Sequence, residues 1–231
     1  MNEERYLDQL AAAYVRGHAL HTGTPSLPET LLCTPPEELS AEQIEQLIGA
    51  GQKAELKLCR FKASHKDLPR VRSVLGFLKG ISFESLVDVG SGRGVFLLPF
   101  LTEFPWVAVT AVDILPYRVG FLKKIADGGI RNLKAMEANI CEQPLPADSA
   151  DVVTMLEVLE HIPDVEAAVI SAVRIARKHV VVSVPSKPDN NPEHIHLLTK
   201  EKLTALFSEA GCEKLNFSGV NGHLIMIATV G

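Results

Sequence analysis

The chain has 231 residues, 46% hydrophobic and 22% charged, enough for one domain of ~150 residues plus a sizeable extension. A net charge of −5 argues against a protein coated in nucleic acid, and four scattered cysteines (Cys33, Cys59, Cys141, Cys212) without a C-x-x-C pair argue against a zinc knuckle or a disulfide framework. The acidic start Met1-Asn2-Glu3-Glu4-Arg5 lacks an apolar signal region and no run reaches ~18 apolar residues, so a cytoplasmic protein with no membrane partner is expected.

Residues 1–50 carry eight acidic side chains against only Arg5 and Arg16. Tyr6-Leu7, Leu10-Ala11 and Tyr14-Val15 recur at helical spacing, whereas Pro25, Pro28, Pro35 and Pro36 interrupt regular structure. Ser40 followed by Gln43 reads as a capping box opening a helix through Leu47 and Ile48. From Lys53 to Lys79 the sign reverses: Lys53, Lys57, Arg60, Lys62, Lys66, Arg70, Arg72 and Lys79 face only Glu55 and Asp67. An apolar stripe (Leu56, Phe61, Leu68, Val71, Val74, Leu75, Leu78) predicts helices laid on the next domain. The cations are then either a solvated face or a basic lip for an anionic acceptor.

Leu86-Val87-Asp88-Val89-Gly90-Ser91-Gly92-Arg93-Gly94 reads as a buried strand and a tight turn, with a helix starting at Val95. Glycines let the backbone touch a ligand, and a helix N-terminus offers unpaired N–H groups. The spacing is G-x-G-x-G, and Val95 disfavours a nicotinamide oxidoreductase. A second strand, Val107–Val112, ends in Asp113, 23 residues beyond Gly90 and near the ~20-residue offset at which an acid accepts ribose hydroxyls. Lys134–Ala138 is a third strand leading to Asn139-Ile140, and Asp151–Leu156 a fourth leading to Glu157-Val158-Leu159-Glu160-His161. Pro163 and Asp164 start a helix that closes with Arg174, Arg177 and Lys178. Val180–Val184 is a fifth strand, residues 186–198 a polar loop with His194 and His196, and Lys200–Ala210 a helix stopped by Gly211. Two last strands flank Asn221-Gly222. Such alternation means an α/β fold on a parallel sheet. His18, His21, His65, His179 and His223 have no partner assignable from sequence and read as surface or satisfied histidines.

Asp88 with the Gly90–Gly94 turn, paired with Asp113, resembles the class I S-adenosylmethionine (SAM) methyltransferases. The resemblance covers about residues 81–231. It implies a Rossmann-like fold, a seven-stranded, mostly parallel sheet with an antiparallel C-terminal hairpin, and SAM as cofactor. The resemblance says nothing about residues 1–80, which are expected from their own helical periodicity to be a helical extension acting as a substrate lid, with 81–231 the SAM-binding domain. Asp88, Gly90, Ser91, Gly92 and Gly94 would lie against the methionine and ribose part, Asp113 would take the ribose hydroxyls, and Asn139 and Ile140 would meet the adenine. Many relatives have Asp where Asn139 stands. Glu157 would border both cofactor and acceptor.

Glu157-x-x-Glu160-His161 carries two readings. It resembles the Glu-Val-Leu-Glu-His-Ile-Pro segment of ubiquinone-biosynthesis-type small-molecule methyltransferases, many of which need no metal; Glu157, Glu160 and His161 would then serve catalysis on a hydroxyl of a small or anionic acceptor. It also resembles the small-RNA 3′-end 2′-O-methyltransferases, in which Glu157, Glu160, His161 and a later histidine such as His194 would hold Mg²⁺ or Mn²⁺ and the acceptor would be RNA. A SAM-binding regulator would need no such acid/base set. None of these motifs bears on oligomeric state.

Overall fold

The computed structural model describes residues 3–231, so Met1 and Asn2 of the acidic start lie outside the described residues. Helix α1 (Glu3–Thr22) outruns the periodic stretch, and the prolines then leave only a short helix, α2 (Glu29–Cys33). The capping box opens α3 (Ala41–Lys53): Ser40 Oγ accepts from the Gln43 N–H at 3.2 Å, and Gln43 Oε1 from the Ser40 N–H at 2.8 Å. The basic stretch forms two 3-10 turns, Leu58–Phe61 and Ala63–Asp67, then α4 (Pro69–Lys79). There follow β1 (Ser85–Val89), α5 (Leu97–Glu103), β2 (Ala108–Asp113), α6 (Pro116–Asp127), β3 (Leu133–Glu137) and β4 (Ala150–Leu156). The chain ends with α7 (Val165–Ile175), β5 (Ala176–Pro185), α8 (Lys200–Glu209), β6 (Lys214–Val220) and β7 (His223–Thr229).

The strands form one seven-stranded sheet, ordered β3-β2-β1-β4-β5-β7-β6, with β1 to β5 parallel and β7 antiparallel to both β5 and β6. Side chains pointing to opposite faces serve two cores. Leu86, Val109, Ala111 and Val181 pack with α1, α4, α5 and α6; Val87, Val89, Val153, Val180 and Val182 pack with α7 and α8. Covering both faces explains the valine runs, which have no polar alternation. Strand order reverses between β1 and β4, so the loops after these two strands flank the crevice where open α/β sheets bind ligands.

Two expectations are corrected. The helix expected from Val95 begins at Leu97, because Gly94 at φ 78° donates its N–H to Ser91 O (2.9 Å) and prolongs the turn. Arg177 and Lys178 do not close α7; they belong to β5, where Arg177 Nε lies 2.9 Å and Lys178 Nζ 3.5 Å from the carboxylate of buried Asp151 on β4. An ion pair to a neighbouring strand outweighs the helix end.

The N-terminal helices are fastened to α6. Arg16 is buried, donating Nε to Gly128 O at 2.7 Å and further N–H groups to Gly128 O and Thr34 O. Gly17 lies so close to α6 that a Cβ would overlap the Lys124 carbonyl. Burial pushes the Arg16 guanidinium below its usual pKa, with Glu37 opposing. Arg16→Leu should cost about 2–4 kcal/mol, since it strands two carbonyls without donors. Urea unfolding would show this as a lower midpoint, and an unchanged midpoint would mean the clamp contributes nothing.

Candidate active site

On the β1 side of the crevice, Gly90, Gly92 and Gly94 take φ of 65°, 58° and 78°. At Gly90 a Cβ would come within 2.6 Å of Val158, so only glycine fits there. Asp113, at the end of β2, is buried, and its Oδ2 accepts the Gly92 N–H at 3.0 Å while Oδ1 accepts that of Leu115 at 3.0 Å. Arg118 stands 3.6 Å off. A carboxylate has about four acceptor positions, so two remain for hydroxyls. Asp88 accepts the Thr154 hydroxyl at 2.7 Å; burial pushes its pKa up to about 6 against the Thr154 and Ser91 hydrogen bonds. Ser91 Oγ also donates to Asp88 O at 3.0 Å.

Asn139 is turned onto its own chain: Oδ1 accepts the Cys141 N–H at 3.1 Å and Nδ2 donates to Glu142 at 3.2 Å, capping the 3-10 turn that buries Ile140. Sequence reasoning passed over Ile114, which is 61% exposed immediately after Asp113. The signal was present, an apolar residue following the acid at a strand end. A turn with three glycines at positive φ, an acid with free acceptor positions and an uncovered apolar surface together fit SAM.

On the β4 side, Glu157 has φ 58°, a conformation that costs a side-chain-bearing residue roughly 1–2 kcal/mol. Its N–H donates to Ser183 O (2.9 Å) and its Oε1 accepts the Ser183 hydroxyl (2.7 Å). His223 Nδ1 comes within 3.0 Å of Oε2, off the line of an aligned hydrogen bond; the contact is an ion pair only with the imidazole protonated. The sequence alone assigned His223 no partner; the fold brings Glu157 to it. His18 and His21 also have partners, Lys124 at 2.9 Å and Asp127 at 2.7 Å.

Glu160 is fully buried, and neither carboxylate oxygen has a partner beyond the approach of its own N–H. Burial pushes its pKa up to about 8, Glu157 and Asp189 adding to this and Arg70 opposing it. His161 Nδ1 lies 2.9 Å from Glu193 O, and His194 Nδ1 lies 2.8 Å from Asp189 Oδ2. One ligand atom each of Glu160, His161 and His194 lies within 4.8 Å of the others. Glu157, held by Ser183 and His223, is not in this group. The Ile195 and His196 N–H groups both donate to Glu160 O, at 2.9 and 3.3 Å, strapping the 186–198 loop over the cluster. A cavity of about 110 Å³ opens beside His194, lined by Pro185, Lys187, Asp189, Ile195 and Leu197 among others.

Of the basic stretch, Arg60 stacks over Phe121 at 4.6 Å, which takes it out of a lip. Arg70 acts electrostatically on both Glu160 and His65. His65, its Nδ1 buried and unpartnered, is pushed below its usual pKa by burial and then by Lys62 and Arg70.

A seven-stranded α/β sheet with a glycine cradle and an acid after β2 defines the class I methyltransferase fold, and comparison with known proteins agrees. Residues 60–216 match the family described as Methyltransferase domain, and the chain belongs to that family. It is 35% identical over 89 residues to a probable SAM-dependent methyltransferase of Mycobacterium tuberculosis; the match covers 34% of this chain and about a third (32%) of that protein. A SAM-dependent methyltransferase from Thermotoga maritima shares the fold at TM-score 0.59 and 16% identity, over 78% of this chain and 96% of that one. Another from Aquifex aeolicus does so at TM-score 0.58 and 19% identity, over 74% and 94%. Among the described residues, no helix is long and apolar enough to cross a membrane.

Proposed function

We propose that this chain transfers the methyl group of SAM to a hydroxyl of a small or anionic acceptor. The observation supporting this is the juxtaposition across one switch point of the Gly90–Gly94 cradle and Asp113 with Glu157, Glu160 and His161. Bound SAM supplies an electrophilic methyl on a sulfonium centre. The chain's part is to align the acceptor's lone pair with that methyl, exclude water and take the hydroxyl proton. Lys62 and Arg70 would attract an anionic group, and through them residues 1–80 would shape the acceptor pocket. Calorimetry should show SAM binding one per chain and NAD not binding; the reverse would overturn the assignment. Tritiated SAM should label acceptors in a cell extract, with and without ribonuclease. Binding without transfer would make the chain a SAM-binding regulator.

A metal-dependent reading, with the terminal 2′-hydroxyl of an RNA as acceptor, is favoured by one observation. Both imidazoles have Nδ1 tied to an oxygen acceptor, His161 to a carbonyl and His194 to a carboxylate. That keeps the proton on Nδ1 and leaves Nε2 as a ligand atom beside an unpartnered carboxylate. Glu160, His161 and His194 would hold Mg²⁺ or Mn²⁺, which would lower the pKa of the acceptor hydroxyl. Mn²⁺ should then raise the Tm of the wild type and not of His194→Ala, and chelation should abolish transfer. Indifference of Tm and turnover to both additions would return the cluster to acid/base work.

A further inference from the structure

Antiparallel pairing sets His223, the first residue of β7, opposite Pro185 of β5 and so at the carboxyl end of the parallel strands, beside Ser183 and Glu157. Its Nδ1 is buried 3.0 Å from Glu157 Oε2, while the Ser183 hydroxyl holds the other carboxylate oxygen at 2.7 Å. The left-handed backbone at Glu157 directs the side chain to this position across β5. The His223 Nε2, in contrast, is neither buried nor bonded to any described residue.

We propose that His223 is the general base that removes the acceptor's hydroxyl proton, with Glu157 as its positioning carboxylate. The proposal rests on the methyl-transfer reading and names the residue that completes it. A carboxylate facing Nδ1 can only accept, so Nδ1 carries the proton and Nε2 keeps a lone pair on the open side. In the reaction, the acceptor O–H proton passes to Nε2 as the oxygen lone pair forms the O–CH₃ bond. The methyl–sulfur bond breaks, and its electron pair stays on sulfur as a neutral thioether. Glu157 offsets the charge of the imidazolium, which then returns its proton to water. His161 is less suited: its Nδ1 faces a neutral carbonyl, and it is grouped with Glu160 and His194.

Two measurements on the full chain test this. In ¹H–¹⁵N spectra of ¹⁵N-histidine-labelled protein with S-adenosylhomocysteine, His223 should be the Nδ1–H tautomer, and Glu157→Gln should shift it towards Nε2–H. Nε2–H in the wild type would overturn the proposal, since the outward lone pair would be absent. With tritiated SAM and cell extract as acceptor pool, His223→Gln should lower transfer ~10²-fold or more while SAM affinity by calorimetry stays unchanged. Transfer within about twofold of wild type would overturn it, using ordinary assay scatter as the bound on no effect. If the wild type labels nothing, the methyl-transfer reading fails, and with it the base; the tautomer result then reports only on the pairing with Glu157.

Discussion

Glu160→Gln is expected to stabilise the protein at alkaline pH while removing its turnover. Glu160 is a fully buried carboxyl with no hydrogen-bond partner, raised from 4.5 to about 8 chiefly by burial. Because the folded value lies above the unfolded one, the contribution to stability is complete below pH 4.5 and is lost as pH rises to about 8. A shift of this size corresponds to a loss on the order of 5 kcal/mol across that window. Gln keeps the shape without a charge, so its stability should decline less than the wild type's across this window, with buried Asp88 (pushed up to about 6) still contributing a decline in both proteins up to about that pH. Urea unfolding below, within and above the window would show the two curves diverging. Equal curves would show that Glu160 titrates like a solvated carboxylate. Mn²⁺ should recover the lost stability in the wild type alone if the cluster takes a cation, because a cation favours the charged carboxylate. Turnover should fall ~10²-fold or more under either the acid/base or the metal reading.

Asp113→Ala should weaken SAM binding by about 1.5–3 kcal/mol, roughly 10- to 100-fold, as expected for loss of charge-assisted hydrogen bonds to ribose. The structure adds a second cause, since the same carboxylate receives the Gly92 and Leu115 N–H groups and ties the glycine turn to the end of β2. Asp113→Asn, which retains one acceptor oxygen, should fall between. Calorimetry with SAM and S-adenosylhomocysteine would rank the three proteins. An unchanged dissociation constant in Asp113→Ala would assign the carboxylate to the turn alone.

Local rules within this sequence were enough to determine the elements that repeat on a short period. The valine runs, the G-x-G-x-G turn, the Ser40–Gln43 capping box and the Asn221-Gly222 hairpin each act over a few residues, and strand–helix alternation then dictates a mostly parallel sheet. The acid after the second strand was legible for the same reason. What only the tertiary structure decided lies at long sequence separation. Arg177 and Lys178 joined β5 because Asp151 waits on the adjacent strand, and Arg60 was withdrawn from the basic lip by the face of Phe121. Glu157 and Glu160, three residues apart, look like one motif; yet the left-handed backbone at Glu157 sends it to Ser183 and His223, while Glu160 turns inward to His161 and His194. Periodicity along one segment carries no information about which distant strand or loop will lie beside it, so the division of these acids between two sites emerges only when the sheet is assembled.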